Sequence, residues 1–328
     1  MKRSVQLVIV LVLILGGAAL LYRQLFPDGG GSQVSATDAA TRVLPKLDAA
    51  QGPDEDAGRE DGATATATRA EIMDLRGVAQ RRLPGGRWAD ITQGDALSLD
   101  DTIRTLGGGS ALVQLGNAVQ VRLTPHTEVT IRELTERTSR VRIEEGRIVA
   151  EVNPQGRTVL RVEAKGSRAV AEASAGSFSM ISDGRGQVAV ATSAGSVKLV
   201  AAGESVDISA GQVARVSGDA APTAPAAIPT SLYLKVAAPL RAIQREKETV
   251  VQGTATPGAL VRAGEQVAMA DERGAFRLRV PLREGKNDVQ IRVTDVEGRE
   301  RTQKMPAITV DTREPTIQNP QVQWGEDP

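Results

Sequence analysis

The sequence predicts a mainly β protein that follows a single N-terminal transmembrane helix. Three observations support this fold class. An apolar run extends from Val5 to Tyr22 and is interrupted only by Gln6. Short segments of alternating apolar and polar residues, such as Val119–Leu123, fill most of the chain beyond residue 72, and this alternation is typical of half-buried strands. Glycines separate these segments and indicate tight turns.

The apolar run, residues 5–22, is the predicted membrane anchor. A helix needs roughly 20 mostly apolar residues to cross the hydrocarbon core of a bilayer, and this run is just long enough. Lys2 and Arg3 precede it, so the positive-inside rule keeps residues 1–4 in the cytoplasm as a stub. The sequence therefore predicts a single-pass membrane protein with a cytoplasmic N-terminus and most of its chain exported.

The alternative for this segment is a cleaved signal peptide, for which Gly17-Ala18-Ala19 offers a small-residue cleavage site. Leu20-Leu21-Tyr22 extends the apolar run beyond that site, and Tyr22-Arg23 resembles an interfacial anchor, which favours the uncleaved form. Both interpretations export the protein. The chain contains no Cys, so neither a lipid-modified cysteine nor a disulfide framework can form.

The composition argues against several function classes. Lys and Arg together number 40, as do Asp and Glu, so no strong field directs the protein to nucleic acid. The chain has two Trp, two Tyr and three Phe, which is few for stacking on the bases of single-stranded nucleic acid. His126 is the one histidine in the sequence, so a multi-histidine metal site cannot be built. We expect no nucleic-acid partner, no metal and no cofactor.

Three segments are predicted to connect or flank the folded parts. Residues 23–71 contain much Gly, Ala, Thr, Asp and Pro and few large apolar residues, so burial cannot offset the entropy of ordering them. We expect a disordered tether that spans on the order of 40 Å as a random coil. An Ala/Pro linker is predicted at residues 219–231 and a disordered tail at residues 313–328.

Residues 72–218 are predicted to form a first β domain. Gly195, Gly203 and Gly211 each precede a short segment of alternating apolar and polar residues. A turn glycine followed by a short strand, repeated, favours stacked short strands, in either a solenoid-like or a meander arrangement. The Ala and Glu content of residues 167–175 favours a helix there, as the exception.

These residues resemble the FecR domain. The opening of the family's domain is matched by three segments of this chain: Arg87-Trp88, Gln93-Gly94-Asp95-Ala96-Leu97 and Asp101-Thr102-Ile103-Arg104-Thr105. Its central hairpin and Pro-x-Thr corner resemble Gly108–Leu115, Val119–Leu123 and Thr124-Pro125-His126-Thr127-Glu128. Its closing strands resemble Glu145-Gly146-Arg147-Ile148 and the later Gly-x-Val units. Where the family often has Gly-Thr-x-Phe, this chain has Ala175-Gly176-Ser177-Phe178.

The resemblance implies a periplasmic module that receives a signal. FecR-type regulators also hold an extracytoplasmic-function sigma factor through a cytoplasmic domain of several tens of residues. Only Met1 to Ser4 precede the predicted anchor here. We therefore expect the periplasmic half of the activity without direct sigma-factor control, unless a separate partner senses the helix in the membrane.

Residues 232–312 are predicted to form a small β-sandwich, because turn signals recur every 8–12 residues. They resemble bacterial Ig-like modules. The resemblance is carried by Val251-Gln252-Gly253-Thr254, Pro257–Val261, Asp271–Phe276, Leu282–Asn287 and Asp295. It implies a spacer or adhesive module, since such folds host many functions.

No residue set is assigned as a catalytic, cofactor or metal site. His126 lies in a Thr-Pro-His-Thr corner, where a turn role is favoured over catalysis. Asp100-Asp101 and Glu144-Glu145 could be imagined as a glycosidase pair, but neighbouring strand residues point to opposite faces. Asp271-Glu272-Arg273-Gly274 with Asp295 could suggest a calcium site, but hairpin chemistry is favoured because the calcium-loop spacing is absent.

Charges and aromatic residues complete the set of features. Between Arg132 and Arg142 the charges alternate in sign, which predicts a cross-strand ladder of ion pairs on a solvated sheet face, with an anion-binding patch as the alternative. Trp88 and Phe276 are predicted core anchors. Trp324 lies in the polar tail without a nearby apolar pattern, and docking is the hypothesis for its role.

The sequence therefore predicts a non-enzymatic binding or scaffold module of the bacterial cell envelope. The expected ligand is an envelope protein, because scarce aromatics disfavour sugar stacking, and a cell-wall polymer is the alternative ligand. The alternative function is an accessory in transmembrane signalling related to FecR-type sigma-factor regulation. A hydrolase is a distant third hypothesis.

Overall fold

The computed structural model describes residues 69–237 and 242–313. The predicted anchor, most of the tether, nearly all of the tail and Trp324 lie outside the described residues. Within the described ranges, no helix is long and apolar enough to span a membrane. These ranges are mainly β, as predicted, and Ala70, assigned to the tether, already belongs to the first strand.

The N-terminal β domain contains sixteen strands and one short 3-10 helix. They are β1 (Ala70–Arg76), β2 (Ala79–Arg82), β3 (Trp88–Asp90), β4 (Ala96–Leu97), β5 (Thr102–Thr105), β6 (Ser110–Leu115), β7 (Val119–Leu123), β8 (Glu128–Leu134), β9 (Thr138–Val152), the 3-10 helix (Pro154–Gly156), β10 (Val159–Ala164), β11 (Val170–Ala173), β12 (Gly176–Ser182), β13 (Gln187–Ala201), β14 (Glu204–Ser209), β15 (Gln212–Ser217) and β16 (Ala226–Ala227).

These strands form two sheets that share two long strands. Sheet I has the order β4-β1-β6-β7-β9-β12-β13-β15-β16, and sheet II has the order β3-β2-β5-β8-β9-β10-β11-β13-β14. All of these pairs are antiparallel except β9–β10. Strands β9 and β13 each run for 15 residues and pass from one sheet to the other.

A glycine lies where each long strand changes sheet. Gly146 in β9 has a φ of 104° and Gly195 in β13 a φ of 76°. Residues with a Cβ rarely adopt such positive φ angles. The inward-facing residues also change phase at these points. In β9, Ile143 is buried before the glycine and Ile148 after it, so the buried positions switch from odd to even numbers. The long strands therefore bend, with glycine at the bend.

One hydrophobic core joins the two sheets. Sheet I contributes large side chains such as Ile72 and Ile148, and sheet II contributes residues such as Ile131 and Leu160. The strand arrangement differs in part from stacked short units. Gly203 and Gly211 do precede short strands, but Gly195 lies within β13.

The helix expected at residues 167–175 is not formed. This stretch contains β11, whose alternate residues Ala171 and Ala173 are buried. It pairs with β10 and β13 on its two sides. Sheet pairing and burial therefore override the local helix propensity of Ala and Glu.

The C-terminal β domain contains ten strands in three small sheets, ordered β17-β19-β22, β18-β26-β23 and β21-β20-β24-β25. The strands are β17 (Leu234–Val236), β18 (Ile243–Gln244), β19 (Glu248–Ala255), β20 (Leu260–Ala263), β21 (Gln266–Met269), β22 (Ala275–Pro281), β23 (Gly285–Asn287), β24 (Gln290–Thr294), β25 (Glu300–Lys304) and β26 (Ile308–Val310). Phe276 is 5% exposed in the core of this domain, which confirms its prediction as a core residue.

The Ala/Pro segment between the domains follows the surface of the N-terminal β domain. Its residues Ala226–Ala227 form β16, which pairs with β15. Thr223 exchanges hydrogen bonds with Arg215, donating its backbone N–H to the carbonyl and accepting from the Arg215 N–H through its Oγ1. These contacts fix the path along which the chain enters the C-terminal β domain.

Candidate functional site

The two β domains share a buried apolar interface. It is a separate cluster from either domain core, and Ile228 of the Ala/Pro segment packs against it. The N-terminal β domain contributes Ile181, Ala189, Ala191 and Val213, and the C-terminal β domain contributes Leu260, Val267, Met269 and Val296. Burial of apolar surface is favourable and non-directional, so this cluster supplies the adhesion between the domains.

Polar contacts at the same interface give it a defined geometry. The carbonyl oxygen of Val296 accepts hydrogen bonds from Arg147 Nε at 2.9 Å and from Ser179 Oγ at 2.5 Å. The Arg147 guanidinium also packs on Gly298, where an added Cβ would lie 2.8 Å from Nη1. Burial lowers the pKa of Arg147, as expected for a cation taken out of water.

Arg299 extends this contact to the Ala/Pro segment. Its Nε donates to Asp295 Oδ2 at 2.5 Å, and its two terminal nitrogens donate to the carbonyl oxygens of Pro229 and Thr230 at 2.5 and 2.7 Å. Asp295 in turn accepts the backbone N–H of Arg299. One turn of the C-terminal β domain therefore contacts both the N-terminal β domain and the segment that joins the two domains.

A polar cleft of ≈ 210 Å³ opens beside this interface, at the Thr-Pro-His-Thr corner. Arg262 of β20 donates to Glu145 Oε1 at 2.5 Å and lies 3.5 Å from the carbonyl oxygen of His126. The remaining lining comes from Arg104, Thr105, Leu106, Thr127, Glu128 and Glu265. The cleft carries both signs of charge, and the Arg262–Glu145 ion pair joins the two domains across it.

His126 is a turn residue, as predicted. It follows Pro125 in the turn between β7 and β8 and has a φ of 56°. Burial and the nearby Arg262 lower its pKa from the usual value of 6.5, which favours the neutral imidazole. Thr127 hydrogen-bonds the backbone, donating to the Arg147 carbonyl and accepting the Arg147 N–H, both at 3.0 Å. In the described part of the chain, no side chain hydrogen-bonds the imidazole to orient it for catalysis.

The adjacent acids have different partners. Asp101 is buried and accepts the Ser98 N–H at 2.9 Å, whereas Asp100 pairs with Arg132 at the surface. Glu144 and Glu145 both lie in β9, Glu145 facing Arg262 as described.

The Glu144 carboxylate is bound within sheet II. It accepts from Thr130 at 3.0 Å and from Arg142 at 2.6 Å. Each of these carboxylates is thus engaged in a structural contact within the fold.

The Asp271 turn has the hairpin chemistry that the sequence favoured. Asp271 Oδ1 accepts the N–H groups of Arg273 and Ala275 at 2.9 and 2.8 Å, and Gly274 has a φ of 80°. Asp295–Gly298 repeats this Asp-x-x-Gly turn. Across residues 69–237 and 242–313, no group of three or more His, Asp or Glu side chains has the arrangement of a metal site.

The predicted charge ladder is confirmed on the outer face of sheet II. Arg140 lies 3.3 Å from Glu133 and 3.5 Å from Glu163. The ladder continues beyond the predicted residues, since Arg161 lies 3.1 Å from Glu172 on the next strand. These half-buried pairs are still in contact with solvent and are each worth about 1 kcal/mol or less, so the ladder chiefly keeps this face solvated.

Trp88 occupies a different place from the predicted one. It is half-buried on β3, outside the hydrophobic core. The Cζ atoms of Arg82 and Arg104 lie 4.5 and 4.0 Å from its ring centroid. Its polar neighbours across the sheet, Gln80 among them, make this the solvent face of the sheet rather than the core face. The sequence pattern around Trp88 is too short to reveal which face it occupies.

The contacts between the domains were not visible in the sequence. The repeat of the Asp-x-x-Gly motif at Asp295–Gly298 was a usable signal for a second tight turn. Its partner Arg147 could not be found in this way, because the two lie far apart in the chain and no local pattern connects them.

Comparison with known proteins gives one family match. The family model described as FecR protein matches residues 101–198, which contain β5 to most of β13. No curated protein matches the chain.

Two crystal structures are similar at low identity. Both are of a protein from Parabacteroides distasonis ATCC 8503 that is provisionally assigned as an anti-sigma factor. Their identities are 18% and 17%, each with a TM-score of 0.34, and the match covers 38% of this chain and 59% of that chain. The chain thus spans less than two thirds of the length of these neighbours, and this similarity is too low to transfer a function.

Proposed function

We propose that this chain is a non-catalytic, protein-binding FecR-type module of the bacterial cell envelope. Residues 5–22 anchor it in the inner membrane, and both β domains lie in the periplasm. The observation that carries the proposal is the FecR match at residues 101–198. It spans the strands that build the ladder face of sheet II and the corner that contacts the C-terminal β domain, which is consistent with a receiving module.

The geometry of the polar groups supports a binding function over an enzymatic one. His126 is held in a turn with a lowered pKa, and Glu145 is paired with Arg262 across the domain boundary. Asp101 and Asp295 satisfy backbone N–H groups. An enzyme needs a nucleophile or a base with an orienting partner, and these side chains serve as contacts within the fold instead.

The C-terminal β domain acts in this proposal as an Ig-like spacer that is docked on the FecR-matched domain. The shared apolar cluster and the Arg147–Val296 contact support a fixed orientation. A fixed orientation presents one continuous surface to a partner and lowers the entropy that binding must overcome.

The test uses the full chain with a C-terminal affinity tag, extracted from membranes in mild detergent. We expect one or a few envelope proteins to be captured reproducibly after crosslinking, and no saturable pelleting with purified peptidoglycan. Saturable pelleting without protein enrichment would contradict the protein-binding proposal. Turnover of a wall polymer, lost in His126→Asn, would contradict the non-catalytic one.

A second candidate function is an accessory in FecR-type transmembrane signalling, and the family match favours it as well. In that case deletion of the gene should change transcription from a promoter that depends on an extracytoplasmic-function sigma factor. Expression of a variant whose residues 5–22 are replaced by an unrelated membrane helix separates the candidates. A relay through the native helix should be lost in this variant, whereas binding in the periplasm should persist.

A further inference from the structure

We propose that one corner of sheet II binds an extended, acidic segment of a partner protein. The corner is named the hairpin patch and consists of Leu83, Trp88, Leu99 and the guanidinium groups of Arg82, Arg87 and Arg104. This proposal rests on the protein-binding function proposed above and assigns it a surface and a partner chemistry.

Two large apolar side chains are exposed at this corner. Leu83 is 51% exposed in the turn after β2, and Leu99 is 53% exposed in the loop before β5. Arg82, the last residue of β2, pairs with Thr102, the first residue of β5. The turn and the loop therefore lie at the same end of the sheet, which places Leu83 and Leu99 on one corner.

Trp88 lies on the neighbouring strand β3 and is held in a fixed position. It is paired with Arg82 across the β2–β3 hairpin, and it lies 4.0 Å from Arg104 Cζ. Gln80 Oε1 accepts from Arg104 Nε and Nη2 at 3.0 and 2.6 Å and so fixes that guanidinium. Trp and Arg are enriched among residues that dominate binding energies, and a side chain already ordered loses little entropy on binding.

The charge of the patch favours an acidic partner. Arg82 is paired with Glu128 at 3.4 Å, and the Asp90 carboxylate accepts from the Gln80 amide. Among the described residues, no carboxylate lies within 4 Å of the guanidinium of Arg87 or Arg104. Arg104 has Glu128 opposite it on β8, so Arg87 is the cation of the patch whose counter-charge an acidic segment can supply.

The backbone at the patch favours an extended partner. Strand β3 pairs with β2 on one side only, so within the described chain its other edge carries unpaired N–H and C=O groups. An extended peptide can add to such an edge through main-chain hydrogen bonds, with its side chains reaching neighbouring residues. A segment that alternates apolar and acidic residues fits both the edge and the side chains of the patch.

The test is a fluorescence titration of the full chain carrying Trp324→Phe, which leaves Trp88 as its one tryptophan. The probe is a ten-residue synthetic peptide of alternating Val and Glu, and its control is the Val and Lys counterpart. We expect a saturable change in Trp88 emission with the Val/Glu peptide and none with the Val/Lys peptide. Arg87→Glu should weaken the affinity by about fivefold or more, because it replaces a favourable charge contact with a like-charge repulsion.

Arg277→Glu is the matched control, since Arg277 is exposed on β22 of the other domain and makes no ion pair with a described residue. It should leave the titration unchanged. Equal weakening by both charge reversals, or no saturable change with the Val/Glu peptide, would overturn the proposal. Capture of partners by Leu83→Asp/Arg87→Glu at the wild-type level would overturn it too while leaving the proposed function intact. If neither the wild-type chain nor any variant captures a partner protein, the result would count against the proposed function itself.

Discussion

The contact between Arg147 and the Val296 carbonyl provides a direct test of the domain interface. Arg147 Nε and Ser179 Oγ both donate to this oxygen from the N-terminal β domain. Arg147→Ala removes one donor and the packing on Gly298, but the carbonyl keeps the hydroxyl of Ser179. Ser179→Ala leaves the guanidinium in place. The two single variants and their double variant therefore form a mutant cycle around one acceptor.

The expected magnitudes follow from the state of that acceptor. A hydrogen bond from a charged donor is worth about 1.5–3 kcal/mol, and the variant also avoids the desolvation cost of burying the guanidinium, which offsets part of this loss. We expect Arg147→Ala to cost about 1–2 kcal/mol and Ser179→Ala about 0.5–1.5 kcal/mol. The double variant leaves a buried carbonyl without a side-chain donor, which adds about 1–3 kcal/mol, so its cost should exceed the sum of the single costs.

The assay combines urea unfolding, followed by circular dichroism, with elastase digestion. In the wild type, the two β domains should unfold together and the Ala/Pro segment should be cut slowly. In the double variant, the C-terminal β domain should unfold in a separate transition, and the segment should be cut faster. Arg277→Ala serves as the surface control. Additive costs within about 0.5 kcal/mol, with an unchanged rate of cutting, would refute the reasoning.

Further outcomes are expected from other parts of the structure. Because burial and Arg262 lower the pKa of His126, the unfolded chain takes up a proton first as the pH falls. The free energy of unfolding should therefore decrease as the pH falls from the usual value of 6.5 to the lower folded-state pKa. Urea titrations at two pH values should show a smaller loss of stability in His126→Asn, a substitution chosen because Asn tolerates the positive φ of this position. Glu145→Gln should lower the free energy of unfolding by about 1–3 kcal/mol, because it leaves Arg262, whose side chain is 12% exposed, without its anionic partner. Adding Arg262→Met to Glu145→Gln should restore much of this loss. Phe276→Ala should cost about 3–5 kcal/mol in thermal or urea unfolding by opening a cavity in the C-terminal core. A reporter active only in the periplasm should be active when fused after Pro328, and the fusion should stay in membranes after a carbonate wash; its release as a shorter soluble species would show that residues 5–22 are part of a cleaved signal peptide.

Local patterns in the sequence predicted a good part of the fold. Alternation along Val119–Leu123 and Val141–Ile143 corresponds to strands, and Phe276 lies in a core. The corner at His126 is the turn that Pro125 favoured. Each of these features depends on interactions within a few residues of chain or on the simple alternation of a half-buried sheet.

The long strands were less accessible because each changes its alternation where it changes sheet. In β13, Val190 is buried on one side of Gly195 and Val197 on the other, a shift from even to odd positions. A window centred on the glycine therefore contains two short patterns instead of one long one. The shift itself is present in the sequence and is the signal that marks a strand shared between two sheets.

The interface and the surface patch could not be predicted for a different reason. Arg147 and Val296 meet across more than a hundred residues of chain, and only the three-dimensional packing of both domains brings them together. Trp88 belongs to a strand of three residues, too short for alternation to distinguish the solvent face from the core face. Its stacking on Arg104 depends on the pairing of β2 with β5, which is also non-local.

Site-specific photo-crosslinking in intact cells tests the central claim most directly. A photoreactive residue is placed in the full-length protein at Arg87, in the hairpin patch, and separately at Arg277, on the C-terminal β domain. We predict one discrete protein adduct from position 87, with little or none from position 277. The absence of any protein adduct from position 87 and from further exposed positions of both domains would contradict the view that this chain is a protein-binding module.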